Sequence, residues 1–192
     1  MLAPRFVLGD LQTRPFFDGR FLATITNIPA GHALSALVRL LTELADTQGV
    51  SLADPWAYIE RAAADAGPLA IFHSSCDAQG ELTCIREAEL TVGHLFRAAF
   101  QNMADNYRAC AARLAPVGDW DELVFSGGLA HRFKLLRELI SDTFHLGYRM
   151  CPEPEDTLLG LMALAMAFTG EANSAEQAMS QLGETYHAKA VR

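Results

Sequence analysis

The chain has 192 residues, 51% of them hydrophobic, and a formal net charge of −8. That length suffices for one large domain with a well-filled core and no disulfide staples. Scattered lysines and arginines in an acidic chain argue against nucleic acid or an anionic membrane as main partner, and the longest apolar stretch, residues 158–168, is too short to span a bilayer.

Residues 13–17 and 20–27 read as extended segments around Asp18-Gly19, a strong hairpin signal. Pro29 and Gly31 punctuate the chain. Leu34, Leu37, Val38, Leu41 and Leu44 then recur at helical spacing and predict an amphipathic helix over residues 31–47. Asp54-Pro55 reads as N-cap and first-turn proline of a second helix reaching about Ala66. Its many alanines and scant apolar bulk place it on the surface. Residues 69–72 and 82–86 are short apolar runs, read as strands, with the turn-like residues 77–80 between them.

The longest helix comes next. Leu95, Phe96, Ala99, Phe100, Met103, Tyr107, Ala111 and Leu114 keep one face over residues 92–114, and Pro116 ends it. Leu123, Val124 and Phe125 form a short strand, followed by a helix over residues 130–144 with Phe133, Leu136, Leu139 and Ile140 as its stripe. Residues 148–151 read as another strand. Residues 155–168 form a helix apolar almost all round, expected to be buried. Ser174-x-x-Gln177 is a capping box for a last, short helix. Strands alternating with helices imply a parallel section of sheet, and the early hairpin an antiparallel section of the same sheet. The expectation is a single mixed α/β domain over residues 1–192.

The stretch ELVFSGGLAHRF carries the sharpest question. Two glycines between a strand and a helix let the backbone approach a ligand with no Cβ in the way. Free N–H groups at the following helix start suit a phosphate or a nucleoside diphosphate. The turn would also lie at the carboxyl end of a parallel strand, where open α/β sheets bind ligands. Against this, Gly-Gly is an ordinary tight connection, and the stretch is neither GxGxxG nor a P-loop. Gly160, inside the apolar helix, likewise either permits close helix packing or keeps space free beneath a ligand.

Other candidates are plainer. Ser126 sits in no GxSxG elbow, which argues against a hydrolase nucleophile. His131 reads as a solvated helix-start side chain, with a phosphate contact as the alternative. Asp10 and Asp18 read as turn residues, and Trp56 and Trp120 as packing anchors. Cys76, Cys84, Cys110 and Cys151 show no CxxC spacing and read as reduced thiols of a cytoplasmic protein, with a bridge between Cys76 and Cys84 as a minor alternative. The histidines show no HExxH pair, so no metal site built from protein ligands is expected. The N-terminal MLAPRFVLGD lacks the apolar core of a signal peptide.

In combination the motifs are more specific. TRPFFDGRFLATITNIPAGHALSALVRLLTEL, GELTCIREAELTVGHLFRAAFQNMADNY, ELVFSGGLAHRF and EDTLLGLMALAMA, in that order, resemble the carboxyl-terminal lobe of FGGY-type carbohydrate kinases, most closely the sedoheptulokinase-like branch. The resemblance covers residues 13–169. It implies a ribonuclease-H-like, actin-like ATPase domain, a mixed sheet with helices on both faces, and ATP with Mg²⁺ as the nucleotide. In that family the strand-Gly-Gly-helix turn is the adenosine motif. This implies that Gly127, Gly128 and Leu129 contact the nucleotide, with Gly160 packed beneath it.

The departures from the family pattern shape the functional expectation. The resemblance implies a sugar-binding lobe, a catalytic Asp and phosphate loops ahead of the matched region, yet residues 1–20 match none of these. RFVLGD is not the loop, and Asp10 is not in the catalytic context. The family's first strand is missing with that loop, which leaves sheet edges that invite pairing with another chain; residues 5–8 or a homodimer would fill the gap. The expectation is an ATP-binding lobe, inactive alone, whose full enzyme phosphorylates a sedoheptulose-like ketose. Sugar would bind only with the missing lobe. The alternative is a non-catalytic interaction or regulatory module that keeps the fold, and an unrelated small α/β enzyme ranks last.

Overall fold

A computed structural model describes residues 2–3, 11–15, 21–26, 28, 30–69, 71–74, 80–83, 85, 90–115, 120–151 and 156–190. It divides into two compact units, residues 1–123 with 133–147, and residues 124–132 with 148–192.

In the first unit, β2 (Gln12–Pro15) and β3 (Phe21–Thr24) pair antiparallel, with Thr13 opposite Ala23 and Arg14 opposite Leu22. The hairpin expectation thus holds in its strands, while Asp18-Gly19 itself lies outside the described residues. A two-residue strand, β1 (Leu2–Ala3), pairs antiparallel on the other side of β3, giving the order β1-β3-β2. Residues 5–8, expected to fill that edge, lie outside the described residues, as do Asp10, Cys76 and Cys84. Helix α1 (Gly31–Thr47) occupies the span its leucine spacing predicts, burying Leu34 and Val38.

Helix α2 (Pro55–Asp65) starts on the expected cap, with the Asp54 carboxylate accepting from the Trp56 backbone N–H at 3.0 Å. Its surface placement needs correction. Ile59 and Ala63 are buried, and α2 packs closely on α3 (Val92–Leu114). The alanines are the reason: small side chains let two helix backbones approach, and a Cβ added at Gly93 would collide with the Ala62 carbonyl. Thr91 caps α3, its Oγ1 accepting from the His94 backbone N–H at 3.2 Å.

An aromatic cluster centres the unit. Trp56 packs on Phe96 and Phe133, at centroid distances of 6.3 and 5.7 Å, and Phe100 packs on Phe133 at 5.1 Å. Such tilted and edge-on pairs suit the ring quadrupole. Strands β4 (Phe72–Ser74) and β5 (Gly80–Leu82) form an antiparallel pair beside α3, extended by the Thr83 N–H donating to Ile71 O at 3.0 Å. Ile71, Leu95 and Ala98 are buried between them.

The helix expected over residues 130–144 is two helices. A short α4 (Gly127–Arg132) stops at Phe133, and α5 (Lys134–Phe144) resumes beyond it. Phe133 itself is extended, with φ −102° and ψ 100°, because its ring turns into the aromatic cluster of the first unit. Within the second unit, α6 (Asp156–Thr169) and α7 (Ala175–Ala190) pack together over Leu159, Ala163, Ala172, Ala178 and Leu182. The Ser174 hydroxyl accepts from the Gln177 N–H at 3.1 Å while the Gln177 amide oxygen accepts from the Asn173 N–H at 2.8 Å, so the expected cap starts a helix of 16 residues rather than a short one.

Strands β6 (Leu123–Phe125) and β7 (Tyr148–Met150) form the third sheet. Leu123 N–H donates to Gly147 O at 3.0 Å and Cys151 N–H to Phe125 O at 2.8 Å. The two bonds advance in the same direction along both strands, which is the pattern of a parallel pair. The expected single mixed sheet is therefore corrected: the described residues make three separate sheets, two antiparallel and one parallel. Strands of two to four residues carry too few ladder bonds to hold a continuous sheet together.

Candidate functional site

The candidate site grows from β6. Phe125 is anchored by its backbone bond from Cys151 and by its ring, edge-on to Tyr148 at 5.1 Å. After Ser126 the chain enters α4 at Gly127, whose φ of +81° is a conformation that side-chain-bearing residues rarely adopt. The backbone turns there immediately after a parallel strand, where ligand crevices form in α/β sheets. Glycine at 127 is thus a requirement of the turn itself.

Gly128 answers a different question. Its φ is not positive, and a Cβ built on it would meet nothing within 4 Å. Neither the turn nor any neighbouring side chain demands glycine at this position. It is exposed, and the space over it is open; Leu129 beside it is half-buried. The open cradle over Gly128, which any side chain would fill, fits a ligand held by backbone N–H groups.

One part of the expected geometry changes. A helix over residues 130–144 would have brought a full macrodipole to this turn, whereas α4 has six residues. Attraction for an anion then rests on the orphan N–H groups of the first turn rather than on a long helix.

Gly160 lies in α6, in the same unit as the turn, and a Cβ there would also meet nothing within 4 Å. The close-packing reading of Gly160 is therefore corrected among the described residues: α6 packs on α7 through Leu159 and Ala163, not through this glycine. No comparable packing joins α6 to α4.

Among the described residues no three His, Cys, Asp or Glu side chains gather as a metal site, and no helix is long and apolar enough to cross a membrane. Cys110 is buried and Cys151 half-buried, and both are free thiols.

The first unit holds a second concavity that the sequence reading does not single out. A cleft of about 340 Å³ runs beside α3, with Leu69, Phe72 and Ala98 among its apolar walls and Arg97, Gln101 and Asp105 as a polar edge. These three lie four residues apart, so they share one ridge of the helix. Gln101 Nε2 donates to Asp105 Oδ1 at 3.0 Å and to Thr143 Oγ1 at 3.3 Å, and Arg97 Nη1 donates to Ala63 O at 3.5 Å. The i, i+4, i+8 polar spacing was the available signal.

No protein-family model matches this chain, and no curated protein does. Among solved structures, it is similar to the xylulose kinase from Rhodospirillum rubrum, with a TM-score of 0.61 at 20% sequence identity. The match covers 79% of this chain and 32% of the kinase, so the chain spans about a third of that protein's length. At that identity the likeness is one of fold: a mixed α/β arrangement shared with part of a carbohydrate kinase.

Proposed function

We propose that this chain is the nucleotide-binding lobe of an FGGY-type, ATP-dependent carbohydrate kinase, with the ribonuclease-H-like fold of that family. The observation that carries the reading is the turn after β6, where Gly127 has φ +81° and Gly128 leaves open space that no packing requirement explains. The four family-like motifs and the fold shared with a xylulose kinase support it independently. Gly127, Gly128 and Leu129 would hold the nucleotide phosphates and nucleoside through backbone N–H groups, with Gly160 beneath. ATP with Mg²⁺ would supply the phosphoryl group, and the acceptor is a ketose of the sedoheptulose or xylulose kind in a cytoplasmic enzyme.

Phosphoryl transfer depends on positioning and on charge stabilisation from groups around the γ-phosphate. This chain contributes the binding of the nucleotide. The catalytic Asp and the sugar contacts belong to a second lobe, so the chain alone binds nucleotide and turns over no sugar.

The test is the shift in melting temperature of the purified chain with Mg·ATP and with Mg·ADP, for wild type, Gly128→Val and Gly128→Ala. Ligand at about 100 times its dissociation constant adds about 2.7 kcal/mol, a shift of several degrees for a domain of this size. The expected outcome is a shift in wild type that is lost in Gly128→Val, while all three unliganded proteins melt alike. A nucleotide-induced shift that persists in Gly128→Val would remove the turn from the site. No shift in wild type would favour the second reading, a non-catalytic interaction module, which the exposed apolar face of α6 independently supports.

A further inference from the structure

Residues 156–169 were expected to be enclosed on all sides, and the structure covers only one. Leu159 and Ala163 face α7, whereas Leu158 is 57%, Leu161 56%, Met162 46% and Phe168 94% exposed, with Ala165 exposed among them. These side chains share one stripe. Leu158, Leu161, Ala165 and Phe168 are spaced three, four and three residues apart, the a/d pattern that seats one helix in the groove of another. Neither a strand nor a loop would use such a seam.

We propose that this stripe of α6 is a docking surface for a second copy of the chain, packed antiparallel about a two-fold axis near Ala163. Three observations select that occupant. First, the stripe is self-complementary in size. Reversal about residue 163 sets Leu161 against the partner copy's small position 165 and Phe168 against its position 158. A parallel pairing would leave a hole at Ala165 and crowd Phe168 on itself. An isologous contact of this kind closes as a dimer instead of growing into a fibre.

Second, no charged residue lies between Asp156 and Glu171. Two copies that each carry −8 repel over most of their surfaces, and a seam without charge is where they approach at least cost. Third, the area is adequate. The exposed parts of these side chains amount to on the order of 500 Å² per copy, so mutual burial reaches about 1,000 Å² in total, the lower bound of a specific interface. The dimer is accordingly concentration-dependent. The inference is independent of what the glycine turn binds.

The experiment is sedimentation of the full chain over a concentration series, for wild type and Leu161→Glu, with melting curves of both. The expected result is a dimer in wild type whose dissociation constant rises at least tenfold in Leu161→Glu, with unchanged melting of the dilute protein, since the position is exposed. Orientation is read from Leu161→Cys and Ala165→Cys proteins mixed under oxidation. Antiparallel packing gives bridges between the two variants, mapped by mass spectrometry, and homotypic bridges would overturn the register. A wild-type monomer at every concentration overturns the proposal, as does a dimer indifferent to Leu161→Glu. A monomer destabilised by Leu161→Glu also overturns it, because the stripe would then be covered from within the chain.

Discussion

Gly93 stands where α2 and α3 come closest, and a methyl group there would meet the Ala62 carbonyl, a backbone atom that cannot swing aside. Gly93→Ala should therefore cost about 1–3 kcal/mol, read from denaturant midpoints, despite alanine's better helix propensity. The glycine pair of the turn should split in the opposite sense. Gly127→Ala forces a Cβ into a positive φ and should destabilise by about 1 kcal/mol or more. Gly128→Ala meets open space without backbone strain, so its unfolding free energy should move by no more than about 0.5 kcal/mol. Tyr107 gives a pH dependence. Burial raises its pKa, and the neighbouring Cys110 adds to the rise. The neutral phenol is thus favoured in the folded chain, so its contribution is fully present below the ordinary value of about 10 and is lost as pH climbs through the raised folded value. Melting temperatures of wild type should fall more steeply above that pH than those of Tyr107→Phe.

At the scale of elements, local chemistry set the starts and long-range packing set the breaks. The Asp54 cap and Pro55 begin α2 where the sequence places them, and Asp54→Ala should cost about 0.5–2 kcal/mol. The division between α4 and α5 was not legible. Phe133 belongs to the apolar stripe of one continuous helix by spacing, yet its ring reaches Trp56 and Phe100, residues distant in sequence. Phe133→Ala should cost about 3–5 kcal/mol through the cavity it leaves, measured by chemical denaturation. For α2, alanine content suggested a surface helix, because a sequence count of apolar bulk cannot register that small residues permit close approach. For α6, all-round apolarity suggested burial. It indicates that the helix seeks cover on every side, not that its own chain supplies it.

At the scale of the molecule, the chain reads as part of a larger architecture: its fold matches about a third of a carbohydrate kinase, and its apolar stripe on α6 is open to a partner. If the nucleotide and dimer readings both hold, Mg·ATP should raise the melting temperature of Leu161→Glu as much as that of wild type, since turn and stripe use different residues. By itself the sequence determined the spans of α1 and α3, the caps of α2 and α7, the strand before the glycine pair and the pairing of β2 with β3. Each of these follows from periodicity, capping or short-range pairing, which act over a few residues. Only the tertiary structure decided that the described strands form three small sheets, that Phe133 breaks a helix and that Gly128 faces open space. Those outcomes depend on which distant side chains meet, and the spacing of residues along a chain does not record that.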